Sequence, residues 1–377
     1  MSWRRGLSKW QLSLPILQAP MAGAQDIQLA IAAAEANALG ALPCAMLSPE
    51  QIEAQVRTFR TAVPGSPLNL NFFCHSTPAP NEAAHQQWQD LLAPLYAELS
   101  LEMGTVDSKP SRMPFDQHTC EIVETTRPEF VSFHFGLPDK PLLDRVKAAG
   151  AIVLSSATCV AEALWLRDHG ADGVIAQGIE AGGHRGTFLA DTQPSTTVTE
   201  NLPQVGTMAL VPQIADAVDL PVIAAGGIAD ARGIVASLAL GASGVQIGSA
   251  FLPTTQSTIS AAFKQRLQEL AESGGYDTET VLTNLFSGRP ARGLRNTLMD
   301  KLGHISAQVP AFPTASNALG PLKTAAEAKS RGDFSPFWLG QAGAIGWQLG
   351  HARSATALVE HLVQSTDTLL GDISLGE

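Results

Sequence analysis

The stretch Ala171-Asp172-Gly173-Val174-Ile175-Ala176-Gln177-Gly178-Ile179-Glu180-Ala181-Gly182-Gly183-His184-Arg185-Gly186 decides how the rest of the chain is read. Its first six residues form a short apolar run of the kind that makes a buried strand. The ten that follow, Gln177 to Gly186, contain four glycines and a histidine. Glycine brings backbone freedom and no side chain, so such a loop does not serve packing. It can let the backbone approach a flat or charged ligand closely. His184 is the one side chain in it that ordinarily titrates near neutral pH. Taken alone, the stretch fits either a backbone-lined cofactor site with a histidine base at its centre or a flexible turn that contains a histidine.

Outward from this point, the same unit recurs in both directions. Toward the N-terminus, Leu14 to Gly23 reads as a strand and loop, Ala41-Leu42-Pro43 as a second strand, and Pro67 to Phe73 as a third. Asn69 and Asn71 in the third strand share one face. Glu129 to Gly136 and Ala151 to Leu154 follow as the fourth and fifth strands. Past the opening stretch come Pro221 to Ala224 and Gly244 to Ser249. Helical patterns separate them, with start signals at Asp26 and at Ser48-Pro49-Glu50. Eight short apolar strands alternating with helices predict an α/β chain folded as a (β/α)8 TIM barrel. Residues 256–330 break the rhythm with helices and Pro-rich loops, and are expected to form a smaller, mainly helical cap inserted into the barrel. The barrel is then residues 1–255 and 331–377. The segment from Asn81 to Thr126 reads as mainly helical and is longer than a crossover requires.

Composition limits the function. The 377 residues are 45% hydrophobic and 16% charged, which is globular. A net charge of −11, with no basic cluster beyond Arg4-Arg5, argues against a nucleic-acid partner. Cys44, Cys74, Cys120 and Cys159 are too scattered for a disulfide framework or a metal site, so no metal is expected. There is no apolar run of signal-peptide or membrane-span length, and the expectation is a cytoplasmic protein. The sequence allows a homodimer without requiring one.

In a barrel of this kind the active site lies at the C-terminal ends of the strands. Every unusual cluster falls at such an end: Pro20 to Gly23, Asn71, His134, Gln177 to Gly186, Gly226-Gly227, and Gln246 to Ser249. The glycines Gly226, Gly227 and Gly248, with Ser249, follow the last two strands, where these barrels commonly hold phosphate on backbone N–H groups. No GxGxxG fingerprint follows the first strand, which argues against a Rossmann fold.

These residues carry a resemblance. Gln18 to Gly23, Asn71-Phe72-Phe73-Cys74-His75, Ser132 to Gly136, Gln177 to Gly186, Ala225 to Ile228, Gln246 to Ser249 and Gly340 to Gly343 together resemble the nitronate monooxygenases, formerly 2-nitropropane dioxygenases. The resemblance implies an FMN-dependent enzyme that oxidises alkyl nitronates such as propionate 3-nitronate, or nitroalkanes, with O2. It puts the phosphate on Gly226, Gly227, Gly248 and Ser249, and Met21, Ala22, Asn71, Gln177, Gly182 and Gly183 along the ribityl chain and isoalloxazine. Gln246 belongs to the cofactor set, and Gln341 and Gly343 would reach the flavin from the C-terminal segment. The catalytic histidine falls on His184, for which an ordinary imidazole pKa suits proton abstraction. His134 is a candidate pocket group or a structural histidine, and His75 is expected to support the fold. The role of Arg185 stays open. One departure is the scarcity of tyrosine: only Tyr96 and Tyr276 occur, outside the matching motifs, so Phe337 and Trp338 are expected to line the pocket instead. An FMN- and NAD(P)H-dependent enoyl-acyl-carrier-protein reductase shares the Ala-Gly-Gly-His loop and is the rival enzyme. A flavin-binding sensor without catalysis is the rival outside enzymology.

Overall fold

The computed structural model describes residues 3–79, 81–104, 112–189, 202–273 and 280–375. In chain order the first strands are β1 (Ile16–Gln18), β2 (Gly40–Pro43), β3 (Leu68–Phe73), β4 (Phe130–His134), β5 (Ile152–Ala157) and β6 (Gly173–Gln177). A two-residue strand β7 (Gly183–His184) precedes β8 (Val222–Ala225) and β9 (Gly244–Ile247). All but β7 lie parallel in one eight-stranded sheet, ordered β1-β9-β8-β6-β5-β4-β3-β2. The bridge Leu17↔Leu39 joins its two edges and makes the sheet a (β/α)8 barrel. Gln18 N–H donates to Leu39 O and Leu39 N–H to Ile16 O, each at 3.0 Å.

Helices α1 (Ile27–Glu35), α2 (Pro49–Ala62), α3 (Glu82–Glu98), α4 (Gln117–Thr126), α5 (Lys140–Ala148), α6 (Val160–Asp168), α7 (Thr207–Ala217) and α8 (Ala231–Ala239) run between the strands. The start signals act as read: Asp26 accepts from Gln28 N–H at 2.8 Å, and Ser48 and Gln51 form a reciprocal capping box. Alternation along the strands sorts the core. In β6, Val174 and Ala176 pack against helices, whereas Ile175 points inward with Leu17, Phe130, Leu154 and Ile223. Trp10, near the N-terminus, seals the floor of the barrel, so close to the start of β6 that a Cβ at Gly173 would lie 2.5 Å from its ring. The opposite end stays open.

After the barrel come α9 (Ala261–Glu272), β10 (Thr280–Thr283), β11 (Ala291–Leu294), α10 (Thr297–Leu302), α11 (Gly320–Glu327), α12 (Gly343–Gly350) and α13 (Ala355–Leu375). β10 and β11 are an antiparallel hairpin, and β11 also pairs with β7, setting His184 opposite Ala291 and Gly183 opposite Arg292. This small sheet adds strands to a segment read as helices and loops. β7 (Gly-His) and β11 (Ala-Arg-Gly-Leu) carry little intrinsic β preference and form through their pairing, whereas β10 (Thr-Val-Leu-Thr) carries a β-rich pattern that the reading passed over.

The long segment after β3 also has a purpose in packing. Trp88, Leu92, Leu95 and Tyr96 of α3 form an apolar cluster with Leu285, Phe286, Leu298 and Leu322 from the later segment. Trp88 Nε1 donates to Ala315 O at 3.1 Å and Tyr96 Oη to Ala318 O at 2.7 Å. Among the described residues no helix is long and apolar enough to cross a membrane.

Candidate active site

A cavity of about 430 Å³ opens at the C-terminal ends of the strands. Met21 and Ala22 line it after β1, Asn71 at the end of β3, and His134 at the end of β4. Gln177, Gly182, Gly183 and His184 contribute from β6 and its loop, Gly226 and Gly227 from beyond β8, and Gln246, Gly248 and Ser249 from β9. Gln341 and Gly343 are not among the lining residues, whereas their neighbours Gly340 and Ala342 are. Gln341 instead donates its backbone N–H to Glu180 O at 3.0 Å, and Gly343 packs beside Leu339.

The loop after β6 is held by its own side chains. Gln177 Nε2 donates to His184 O at 2.9 Å, and its Oε1 accepts from Gly186 N–H at 2.8 Å and from Arg185 Nη1 at 3.2 Å. Arg185 is 1% exposed and donates from Nη1 to Gly178 O at 2.6 Å, so it acts as a strut beneath the loop. Burial pushes its guanidinium down to about 10. Glu180 accepts from the backbone N–H of Thr207 at 2.9 Å, anchoring the loop to the first turn of α7. Gly182 lies so close to the C-terminal segment that a Cβ would sit 2.5 Å from Gly340 N.

The hairpin completes the restraint. Arg185 N–H donates to Pro290 O at 2.9 Å, and Arg292 Nε donates to Ile179 O at 2.8 Å. Arg289 donates from Nη2 to Thr187 O and stacks 3.9 Å from the centre of the Phe135 ring.

His184 sits in an aromatic box, with ring centroids 6.2 Å from Phe73, 6.1 Å from Phe135, 5.4 Å from Phe312 and 5.5 Å from Trp338. Its Nε2 lies 2.9 Å from Ser287 Oγ. The ordinary pKa expected from sequence does not hold. Burial, then the positive charges of Arg112 and Arg289 and the neighbouring His134 and His75, push His184 well below 6.5. The ring is therefore neutral at physiological pH.

His134 supports it from below. Its Nε2 lies 3.1 Å from His184 O, a carbonyl that can only accept, so Nε2 carries the proton. Its Nδ1 then accepts from Ser156 Oγ at 3.0 Å. Burial lowers its pKa to about 4, with the bond to His184 opposing and Arg289 assisting. His75, whose ring meets Phe312 edge-on at 4.8 Å, is likewise lowered to about 4 by burial and Arg289. Phe337 and Trp338 line the cavity, Tyr96 lies in the α3 cluster, and Tyr276 falls outside the described residues.

The nitronate monooxygenase family profile matches residues 6–365. The chain belongs to the nitronate monooxygenase family. A nitronate monooxygenase from Pseudomonas aeruginosa is 38% identical over 351 residues, covering 92% of this chain and 96% of the relative. Another, from Paraburkholderia phytofirmans, is 36% identical over 360 residues, covering 94% of each. Among solved structures, a nitroalkane oxidase from Streptomyces ansochromogenes superposes with a TM-score of 0.84 at 32% identity, over 98% of this chain and 99% of that one. FabK from Thermotoga maritima shares the fold, with a TM-score of 0.67 at 21% identity over 99% of each chain. This nitronate monooxygenase family member is accordingly an oxidoreductase.

Sequence reasoning missed Ser287, Arg289 and Arg292. Nothing in their local pattern marks them, because each acts through a contact made by the later hairpin. Glu180 lay inside the opening stretch, and its role as an anchor for α7 depends on a helix that begins at Thr207.

Proposed function

We propose that the chain is an FMN-dependent monooxygenase that oxidises alkyl nitronates, propionate 3-nitronate among them, and nitroalkanes with O2 to a carbonyl compound and nitrite or nitrate. The observation that carries this reading is a neutral, half-buried His184 in an aromatic box at the edge of a glycine-walled cavity. Arg112 and Arg289 direct positive charge at that histidine.

The cavity fits FMN. A Cβ at Gly23 or Gly183 would meet nothing within 4 Å, so both leave open the space that a planar ring system would take. Gly226 and Gly227 adopt φ of +111° and +72° in the turn after β8, a backbone suited to presenting N–H groups to phosphate together with Gly248 and Ser249. Gln246 lines the cavity, and its Oε1 is buried without a hydrogen-bond partner among the described residues. Met21, Ala22, Asn71, Gln177, Gly182 and Gly183 would flank the ribityl chain and rings. At the C-terminal segment, Gly340 and Ala342 line the cavity and would stand nearest the flavin. When bound, FMN supplies the electron acceptance and the transfer to O2.

The chain's own residues do the rest. A neutral imidazole at His184 can take the α-proton of a nitroalkane. The cationic field that lowers its pKa favours the anion formed opposite it. Phe73, Phe312 and Trp338 exclude water around the ring.

The test is anaerobic mixing of the holoenzyme with a nitronate and, separately, with NADH, following visible flavin absorbance. Bleaching by the nitronate alone is expected; rapid bleaching by NADH would favour the enoyl reductase chemistry instead. Replacing His184 by Asn should cut nitroalkane turnover by about 100-fold or more, the usual contribution of a general base.

A further inference from the structure

The hairpin that pairs with β7 also places a hydroxyl on the histidine ring. Ser287 is 1% exposed and lies in the turn between β10 and β11, where Gly288 N–H donates to Asn284 O at 2.8 Å. Its Oγ has three neighbours: His184 Nε2 at 2.9 Å, Arg289 O at 3.2 Å and Arg289 N at 3.4 Å.

A hydroxyl has one proton and two lone pairs. Arg289 O can only accept and Arg289 N–H can only donate. All three contacts are satisfied together in one arrangement. The hydroxyl proton goes to Arg289 O, one lone pair takes Arg289 N–H, and the other takes a proton from His184 Nε2. If the hydroxyl instead donated to Nε2, Arg289 O would be left facing an oxygen lone pair. The other ring nitrogen, Nδ1, accepts no hydrogen bond among the described residues, and the ring lines the main cavity.

We propose that Ser287 is a positioning residue that fixes His184 as its Nε2–H tautomer and so reserves Nδ1 for the substrate proton. This rests on reading His184 as the base. In the step it serves, the α C–H bond of a nitroalkane breaks and the proton passes to Nδ1. The electron pair moves onto the nitro group to give the nitronate. A nitronate supplied ready-made skips that step. Ser287 therefore matters more for neutral nitroalkanes than for nitronates, which links the later hairpin to the range of substrates accepted.

The tautomer can be read directly by ¹⁵N NMR of histidine-labelled holoenzyme, with His184 assigned by the signal lost in His184→Asn. The wild type is expected to show a protonated Nε2 and an unprotonated Nδ1. In Ser287→Ala the two shifts should move toward each other as the tautomers mix, and Ser287→Thr, which keeps the hydroxyl, should restore the separation. In parallel, kcat/KM for nitroethane should fall about 10- to 100-fold further in Ser287→Ala than kcat/KM for its nitronate, and the Thr variant should recover most of the difference. A wild-type spectrum with Nδ1 protonated, or an unchanged His184 pattern in Ser287→Ala, would overturn the assignment whatever the activity. Equal losses on both substrates would reduce Ser287 to a structural contact. A tautomer shift with nitroalkane turnover intact would uphold the positioning and sink the reading of His184 as base.

Discussion

Acid should weaken this fold through His134, and the size of the effect follows from its surroundings. Half-buried below the His184 carbonyl, the ring is held neutral, with a pKa lowered by desolvation from 6.5 to about 4. Its charged form is the protonated one, so the unfolded chain binds the proton more tightly than the folded chain does. Stability is complete above the unfolded value and is lost as pH falls from 6.5 toward 4. At about 1.4 kcal/mol per pH unit the whole gap is worth about 3.5 kcal/mol, and about 2 kcal/mol of it is gone by about pH 5. Against a typical domain stability of about 5–15 kcal/mol, that loss is readily measured. The assay is urea unfolding at about pH 7 and about pH 5 for the wild type and for His134→Gln, whose amide cannot take up the proton. The wild type should lose about 2 kcal/mol more than the variant over that interval. Equal losses in the two proteins would refute the reasoning, because the proton would then be bound equally in both states.

Two further outcomes follow from the site. Gly183 has φ of +76° and open space where a Cβ would go, so Gly183→Ala should cost about 1–2 kcal/mol in backbone strain. The same methyl should loosen flavin retention on gel filtration, while retention equal to the wild type would show that no ligand surface lies there. Because His184 is held well below 6.5, nitroalkane kcat/KM should stay level as pH falls through 6.5 and drop only at more acid pH. A pH profile with its acid limb centred at 6.5 would contradict the burial and charge that surround the ring.

The barrel was legible because its period is local: apolar runs, cap residues and glycine-rich strand ends each declare themselves within a few positions. The cavity wall was legible for the same reason, from Met21 through Ser249. Where the reading slipped, the cause was spatial. Gln341 and Gly343 sit beside Gly340 and Ala342 in a turn, and which of four neighbours faces the cavity depends on how that turn meets Glu180. The pKa of His184 could not be read from its loop, because what depresses it is burial by distant elements, then the charges of Arg112, His134 and Arg289. Arg185, whose role the sequence left open, is a strut, a role set by the carbonyl of Gly178 and the amide of Gln177. Ser287 is separated from His184 by 103 positions, and no pattern on either side announces the contact.

The pairing of β7 with β11 also sets an order of events. During synthesis from the N-terminus, every barrel strand through Ile247 leaves the ribosome before Ser287 and Ala291 do. Loop closure over so long a stretch comes after the local contacts that build the strands. All eight barrel strands thus precede the hairpin, and the histidine loop gains its strand partner and its serine only when the hairpin arrives.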